Sequence, residues 1–214
     1  MLHKRILLKL SGNFFSGEDG NGLDFSAIEE IADEIIAAKN SGIEIAVVNG
    51  SGNIFRGRER PKGFDRVSAD RIGFMSGIPN SLALLETLNS KGVDTRMMCA
   101  FEIPGIARHF DPFKARKLLQ EGKLVICTGG TGEAFFTHDT AAVVRALEIK
   151  ADVLLKATNV DGVYSEDPHK NPNARKYERI TYAEAVEKHL DILDQTAFAL
   201  ARDNFLKIIV FKWE

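Results

Sequence analysis

Four short segments of this 214-residue chain carry residue types that could hold phosphate. They are Lys9-Leu10-Ser11-Gly12-Asn13, Asn49-Gly50-Ser51-Gly52-Asn53, Thr128-Gly129-Gly130-Thr131-Gly132 and Lys156-Ala157-Thr158-Asn159. The first three are glycine turns, where backbone N–H groups can approach an anion closely, and the first and last place a lysine at the end of an apolar run. A glycine turn after a strand is by itself usually only a turn, because glycine supplies positive φ without steric cost. Four such segments, each just beyond a strand-like run, point to a polyphosphate. Two familiar solutions are missing. No G-x-x-x-x-G-K-[ST] segment exists, and both G-x-G starts, at Gly50 and Gly130, reach Phe55 and Phe135 where a dinucleotide fingerprint needs its third glycine. A Walker-type loop is absent and a Rossmann dehydrogenase is disfavoured.

The elements that must position these segments alternate between β-rich runs and helical patterns, which predicts an α/β fold. The expected architecture is a three-layer αβα sandwich around a mainly parallel sheet. Strands are expected at 5–10, 44–49, 94–100, 123–128, 152–157 and 207–211. A helix over 26–40 is predicted from Ile28, Ile31, Ala32 and Ile35, with Ser26 and Glu29 as a capping box. A second is predicted over 67–91, where Pro79 should kink or split it. Further helices are expected at 112–121, 139–149, 182–188 and 195–204. Asp139 opens one of them and could serve as its N-cap. Asp161-Gly162 reads as a tight turn, and 165–177, with Pro168 and Pro172, as a polar loop without a packed element.

Composition narrows the class. Hydrophobic residues make up 44% of the chain, enough for a sizeable core, and no segment demands a domain boundary, so one domain over 1–214 is expected. Lys and Arg number 28 against 30 Asp and Glu, so the positive excess expected of a nucleic-acid binder is missing. The apolar runs are strand-sized and no leader is visible, so neither a membrane nor export is expected and the location reads as cytoplasmic. Cys99 and Cys127 read as buried free thiols. His3, His109, His169 and His189 fall in no ligand spacing, so no protein metal site follows.

The ordered segments resemble a family. KRILLKLSG at 4–12, GSGNIFRG at 50–57, RVSAD at 66–70, GTGEAFFTHD at 130–139, LKATNVDGVY at 155–164 and LARD at 200–203 together are similar to the amino-acid-kinase superfamily, and within it to the bacterial uridylate (UMP) kinases. The resemblance implies transfer of the γ-phosphoryl of ATP to UMP, with Mg²⁺ accompanying ATP. By that likeness Lys9 offsets charge on the transferring group and Asp139 orients Lys9 and the metal. ATP would be held by Lys9, Leu10, Ser11, Gly12, Gly52, Arg56, Lys156, Thr158, Asn159, Tyr164 and Asp167. UMP would be held by Gly50, Ser51 and Arg56 at its phosphate, Asp70 at its ribose, and Thr131, Gly132, Glu133, Ala134, Phe135, Phe136, Thr137 and His138 around it. Phe135 and Phe136 could equally be core.

The likeness further implies a homo-oligomer, a hexamer assembled from dimers, with GTP and UTP as effectors. Ser51 departs from it where a glycine is usual, and His138 where a hydroxyl residue is usual. Pro79 interrupts a helix used there in subunit contact. The sequence ends at Phe211-Lys212-Trp213-Glu214, where the family typically continues into a further helix and strand. Two other readings share the residues. One is a superfamily kinase acting on a carboxylate or carbamate, which should lack the matches at Asp70 and 131–138. The other is a nucleotide-binding storage or regulatory protein of the same fold that performs no transfer.

Overall fold

In the computed structural model residues 3–190 and 192–213 are described. The strands are β1 (Arg5–Leu10), β2 (Glu44–Asn49), β3 (Thr95–Cys99), β4 (Arg108–His109), β5 (Leu124–Thr128), β6 (Val153–Thr158), β7 (Val163–Tyr164), β8 (Lys176–Tyr177) and β9 (Ile208–Lys212). The helices are α1 (Phe25–Asn40), α2 (Arg66–Ser90), α3 (Pro112–Gln120), α4 (His138–Glu148), α5 (Tyr182–Glu187) and α6 (Gln195–Asp203). Seven strands form one sheet in the order β4-β3-β5-β2-β1-β6-β9, every pairing parallel. β7 and β8 form a separate antiparallel ribbon.

A strand turns alternate side chains to opposite faces, and here the alternation feeds two cores. Ile6, Leu8, Ile45, Val47, Cys99, Ile126 and Val153 pack with Ile28, Ile31 and Ile35 of α1 and Leu84 and Leu88 of α2. Leu7, Ala46, Val48, Cys127 and Leu154 pack on the other face with α3, α4, α5 and α6 through Leu119, Val143, Ala185 and Phe198. The result is helix, sheet, helix: the expected three-layer arrangement. This parity has a direct consequence for chemistry. Lys9 shares the face of Leu7, and Lys156 that of Leu154, so both lysines leave the sheet on the α4 side. The two cysteines are buried and free, one in each core, and burial pushes the Cys127 thiol up to about 12.

Several local expectations are corrected. α1 is capped by Asp24, whose carboxylate accepts from the Ser26 and Ala27 amides, so Ser26 lies inside the helix and forms no capping box. α2 runs unbroken through Pro79. Pro79 and Met75 both lie on the exposed face, so the Met75 carbonyl that loses its helical donor faces water. The polar loop ends in β8, which pairs with β7, and Ser165 donates its amide to the Arg175 carbonyl. Thr137, not Asp139, caps α4, accepting from the Asp139 and Thr140 amides. β4 and the short 3-10 turns at Gly12–Phe15, Gly17–Asp19 and Gly57–Glu59 had no counterpart in the sequence pattern.

Candidate active site

β1 and β6 are paired so that Lys9 stands opposite Lys156. Two like charges directly across a ladder repel, and the arrangement needs an anion between them. Asp139, in the first turn of α4, supplies it. Lys9 Nζ lies 2.8 Å from Asp139 Oδ1 and Lys156 Nζ 2.8 Å from Oδ2. The Lys156 contact is an aligned hydrogen bond, and the Lys9 contact is an ion pair to Oδ1. Lys156 also donates to the Ile192 carbonyl. Burial alone would raise the Asp139 carboxyl, but the two ammonium groups outweigh it and hold the group down at about 2. Because Thr137 caps the helix, the Asp139 side chain is free of that task.

The loops beyond β1 and β2 press against each other. A Cβ on Gly12 would stand 2.4 Å from the Gly52 nitrogen and 2.7 Å from Asn53 Oδ1, so this approach is open only to glycine. Ser51 is buried, its hydroxyl donates to the Phe55 carbonyl at 3.3 Å, and its φ is not in the left-handed region. A serine therefore fits the turn without strain. Arg56 folds back, Nε donating to the Gly52 carbonyl at 3.2 Å and Nη2 to Asn13 Oδ1 at 2.9 Å.

Asp70, on the inward face of α2, is buried and takes the Arg66 Nε on both oxygens, at 2.9 and 2.7 Å. Its Oδ2 also accepts from the Phe135 amide at 2.8 Å. Phe135 holds a φ of 72°, uncommon for a bulky residue, with the Arg66 guanidinium 5.4 Å above its ring. Asp70 thus ties the 131–137 segment to α2.

Two clefts open over these strand ends. The first, about 480 Å³, is lined by Lys9, Ser11, Gly12, Gly50, Ser51, Gly52, Arg56, Asp70, Phe136, Thr137, His138, Asp139 and Lys156. The second, about 570 Å³, is lined by Lys156, Thr158, Asn159, Tyr164 and Asp167. Lys156 and Ile192 line both, so the clefts meet at Lys156, with Lys9 and Asp139 on the side of the first. Of the sequence-derived site residues, Leu10 is fully buried and lines neither cleft, giving only its carbonyl to the Gly50 amide. Thr131, Gly132, Glu133, Ala134 and Phe135 also lie off the lining of the first cleft. Thr131 turns inward on Glu133, accepting its amide at 3.1 Å. Phe135 and Phe136 are both exposed and belong to neither core.

Asp194 and Ile192 belong to no motif visible in the sequence. Asp194 accepts from the Thr140 hydroxyl at 2.9 Å and from the Thr137 hydroxyl, and caps α6 through the Ala197 amide. It therefore pins the N-terminus of α4, and with it Asp139. The only advance signal was its position just before a helical pattern. His138 packs edge-on to Phe74 at 6.1 Å between centroids, and its Nε2 has no partner among the described residues. Burial, and then the Lys9 charge, push its imidazole down to about 4. Among the described residues no three His, Cys, Asp or Glu side chains converge on a metal position. The same residues include no helix long and apolar enough to cross a membrane.

Paired ammonium groups, glycine loops at parallel strand ends and two clefts meeting at Lys156 define a site for moving a phosphoryl group between two bound molecules. Residues 4–212 match the Amino acid kinase family, and the chain belongs to that family. Within it, the relatives it resembles are uridylate kinases. It is 46% identical to the uridylate kinase of Bradyrhizobium diazoefficiens, over 98% of this chain and 89% of the relative. It is 47% identical to that of Mesorhizobium japonicum, over 98% and 88%. The crystal structure of UMP kinase from Bacillus anthracis superposes with a TM-score of 0.94 at 39% identity, over 98% of this chain and 87% of that one. UMP kinase from Ureaplasma parvum superposes at 0.93 with 34% identity, over 100% and 92%.

Proposed function

We infer that the chain is a nucleoside monophosphate kinase that transfers the γ-phosphoryl of ATP to UMP, giving UDP and ADP. The observation that carries this reading is the Lys9–Asp139–Lys156 arrangement at the junction of the two clefts. Phosphoryl transfer passes through a loose transition state with charge spread over phosphate oxygens, so positioning and positive charge supply most of the catalysis. An oxygen of the UMP phosphate forms the new bond to the γ-phosphorus as the bond to the ADP oxygen breaks. A phosphate monoester loses its second proton near pH 6, so the acceptor arrives deprotonated and needs no general base. The site fits that demand: its central carboxylate, Asp139, is engaged by two lysines and serves to hold Lys9 in line.

UMP would occupy the first cleft, with its phosphate against Gly50, Ser51 and Arg56 and its ribose toward Asp70. ATP would occupy the second, over Thr158, Asn159, Tyr164 and Asp167, its phosphates reaching Ser11 and Gly12. Mg²⁺ would arrive with ATP, held by the nucleotide phosphates and water near Asp139, and would supply charge neutralisation. A single domain, a homo-oligomer, GTP and UTP effectors and a cytoplasmic location belong to the same reading. Exposed Ile72, Met75 and Leu82 along α2 support a subunit contact on that helix.

The test is coupled ADP release with ATP and Mg²⁺, offering UMP, CMP, AMP, aspartate and carbamate in parallel. UMP-dependent release is expected. Turnover only with a carboxylate or carbamate, or nucleotide binding without turnover, would overturn the assignment.

A further inference from the structure

Beneath the glycine loop after β2 lies a polar cluster that takes no part in the chemistry described above. Asn49, Asn53, Asn80 and Ser81 are buried to within 2% of complete, two of them on α2 beside Pro79. Asn53 and Asn80 pair head to tail through their carboxamides, at 2.8 and 2.9 Å. Asn49 Nδ2 donates to the Gly77 carbonyl at 2.9 Å, and its Oδ1 accepts from the Ser81 hydroxyl at 2.6 Å. Buried amides of this kind persist where each donor and acceptor is matched, and these are.

Outside itself and α2 the cluster reaches two backbone carbonyls: Asn53 Nδ2 donates to that of Gly22 at 2.6 Å, and two of its amides meet on that of Gly50. The Gly50 carbonyl accepts from Asn80 Nδ2 at 2.9 Å and from Asn49 Nδ2 at 3.2 Å. A carbonyl has two lone pairs, so both are used and the plane of the Gly50–Ser51 peptide is fixed. In a trans peptide the N–H points opposite to the C=O. With the carbonyl drawn down into the cluster, the Ser51 N–H is turned up, and Ser51 lines the first cleft. Among the described residues that amide donates to no backbone acceptor. A buried carboxamide on α2 thereby aims a backbone donor at the place where an anion would sit.

We propose that Asn80 is a positioning residue for the acceptor phosphate, acting through the Gly50–Ser51 peptide. It rests on the reading of the first cleft as the acceptor site and adds to it the group that sets the donor's direction. Ser81 provides the matched comparison, because it binds Asn49 and the Gly77 carbonyl in the same cluster and makes no contact with Gly50. The experiment measures KM for UMP and for ATP, together with thermal unfolding, in the wild type, Asn80→Ala and Ser81→Ala. Asn80→Ala is expected to raise the UMP KM about tenfold, the scale of a lost hydrogen bond to a charged group, with the ATP KM within twofold. Ser81→Ala is expected to lower the unfolding temperature while leaving both KM values within twofold.

An unchanged UMP KM in Asn80→Ala, an equal rise in Ser81→Ala, or a parallel rise in both KM values would overturn the proposal. Should Asn80→Ala fail to fold, Asn80→Ser keeps a small polar group in place but is too short to reach Gly50, and carries the same expectation. Inorganic phosphate binding gives a readout independent of turnover. Weaker binding in the Asn80 variants alone supports the positioning role even if UMP proves not to be the acceptor, and equal binding in all variants defeats it.

Discussion

The two clefts share Lys156 but are built by opposite means. The first stands on buried, fully matched polar groups: Asn49, Asn53, Asn80 and Ser81 below, and Gly12 packed against Gly52 at a distance that admits no side chain. The second is rimmed by exposed ion pairs. Lys176 and the Tyr164 hydroxyl both bind the exposed Asp161, and together they hold its carboxyl at about 2. Exposed pairs of this kind are screened and contribute little, while a buried amide is costly to leave unmatched. On the proposed placement of UMP in the first cleft and ATP in the second, the contrast would put precision where the accepting phosphate must be aligned and latitude where the donor nucleotide enters.

Substitutions can break this contrast at its centre or sharpen it at its edges. The largest effect is expected from Lys9→Ala, which removes transition-state charge at the junction. Turnover should fall at least about a hundredfold while nucleotide binding is mostly retained, and unchanged turnover would remove Lys9 from the mechanism. Asp70→Ala acts on the first cleft alone and should raise the KM for UMP about tenfold, more than that for ATP. Equal shifts in both constants would defeat the ribose assignment and blur the distinction between the clefts.

A smaller effect follows from His138. Its imidazole is neutral in the folded protein down to about pH 4 but takes up a proton near 6.5 when unfolded. Stability from this group is complete above pH 6.5 and is lost as the pH falls toward 4. Between pH 7 and 5 the unfolding temperature should drop about 5 °C from this group, and His138→Asn should remove that part of the slope. A wild-type profile flat over that range would contradict the buried, unpartnered imidazole. Asp139 adds stability in the same direction but lower on the scale, full above about pH 4 and lost as the pH falls toward 2. The smallest effect is expected from Asp161→Ala, less than about twofold in either KM, as suits an exposed pair. A tenfold rise in the KM for ATP would show the rim of the second cleft to be as exacting as the floor of the first.

The sequence announced six of the nine described strands, a mainly parallel sheet and the lysine at the end of each of two strands, because period and glycine placement are local signals. It did not announce what the lysines share. Asp139 read as a helix cap by position and as the partner of Lys9 by resemblance, and only packing shows that Thr137 takes the cap and that Lys156 shares the carboxylate. β7 and β8 escaped because two-residue strands carry no alternation to detect, and Pro168 and Pro172 lie in the loop that joins them. Asn80 was hidden for another reason: an asparagine inside a long helix reads as indifferent until its partners, some thirty residues away, are brought to it. Asp194 illustrates the same limit, since its link to Thr137 and Thr140 spans more than fifty positions.

The placement of β1 has a consequence for how the protein is made. It lies inside the sheet, with β2 on one edge and β6 on the other, and the Asp152 carboxylate binds the Lys4 and Arg5 amides at its start. On the ribosome β1 emerges first, yet its second edge waits for a strand more than 140 residues behind it. At about 5 to 20 residues per second the bare edge persists for roughly 7 to 30 seconds. For most of that interval Lys9 is also without Asp139, which follows it by 130 residues. A nascent chain halted before β6 would therefore present an open, adhesive strand edge, and the segment that carries Asp194 and β9 follows later still.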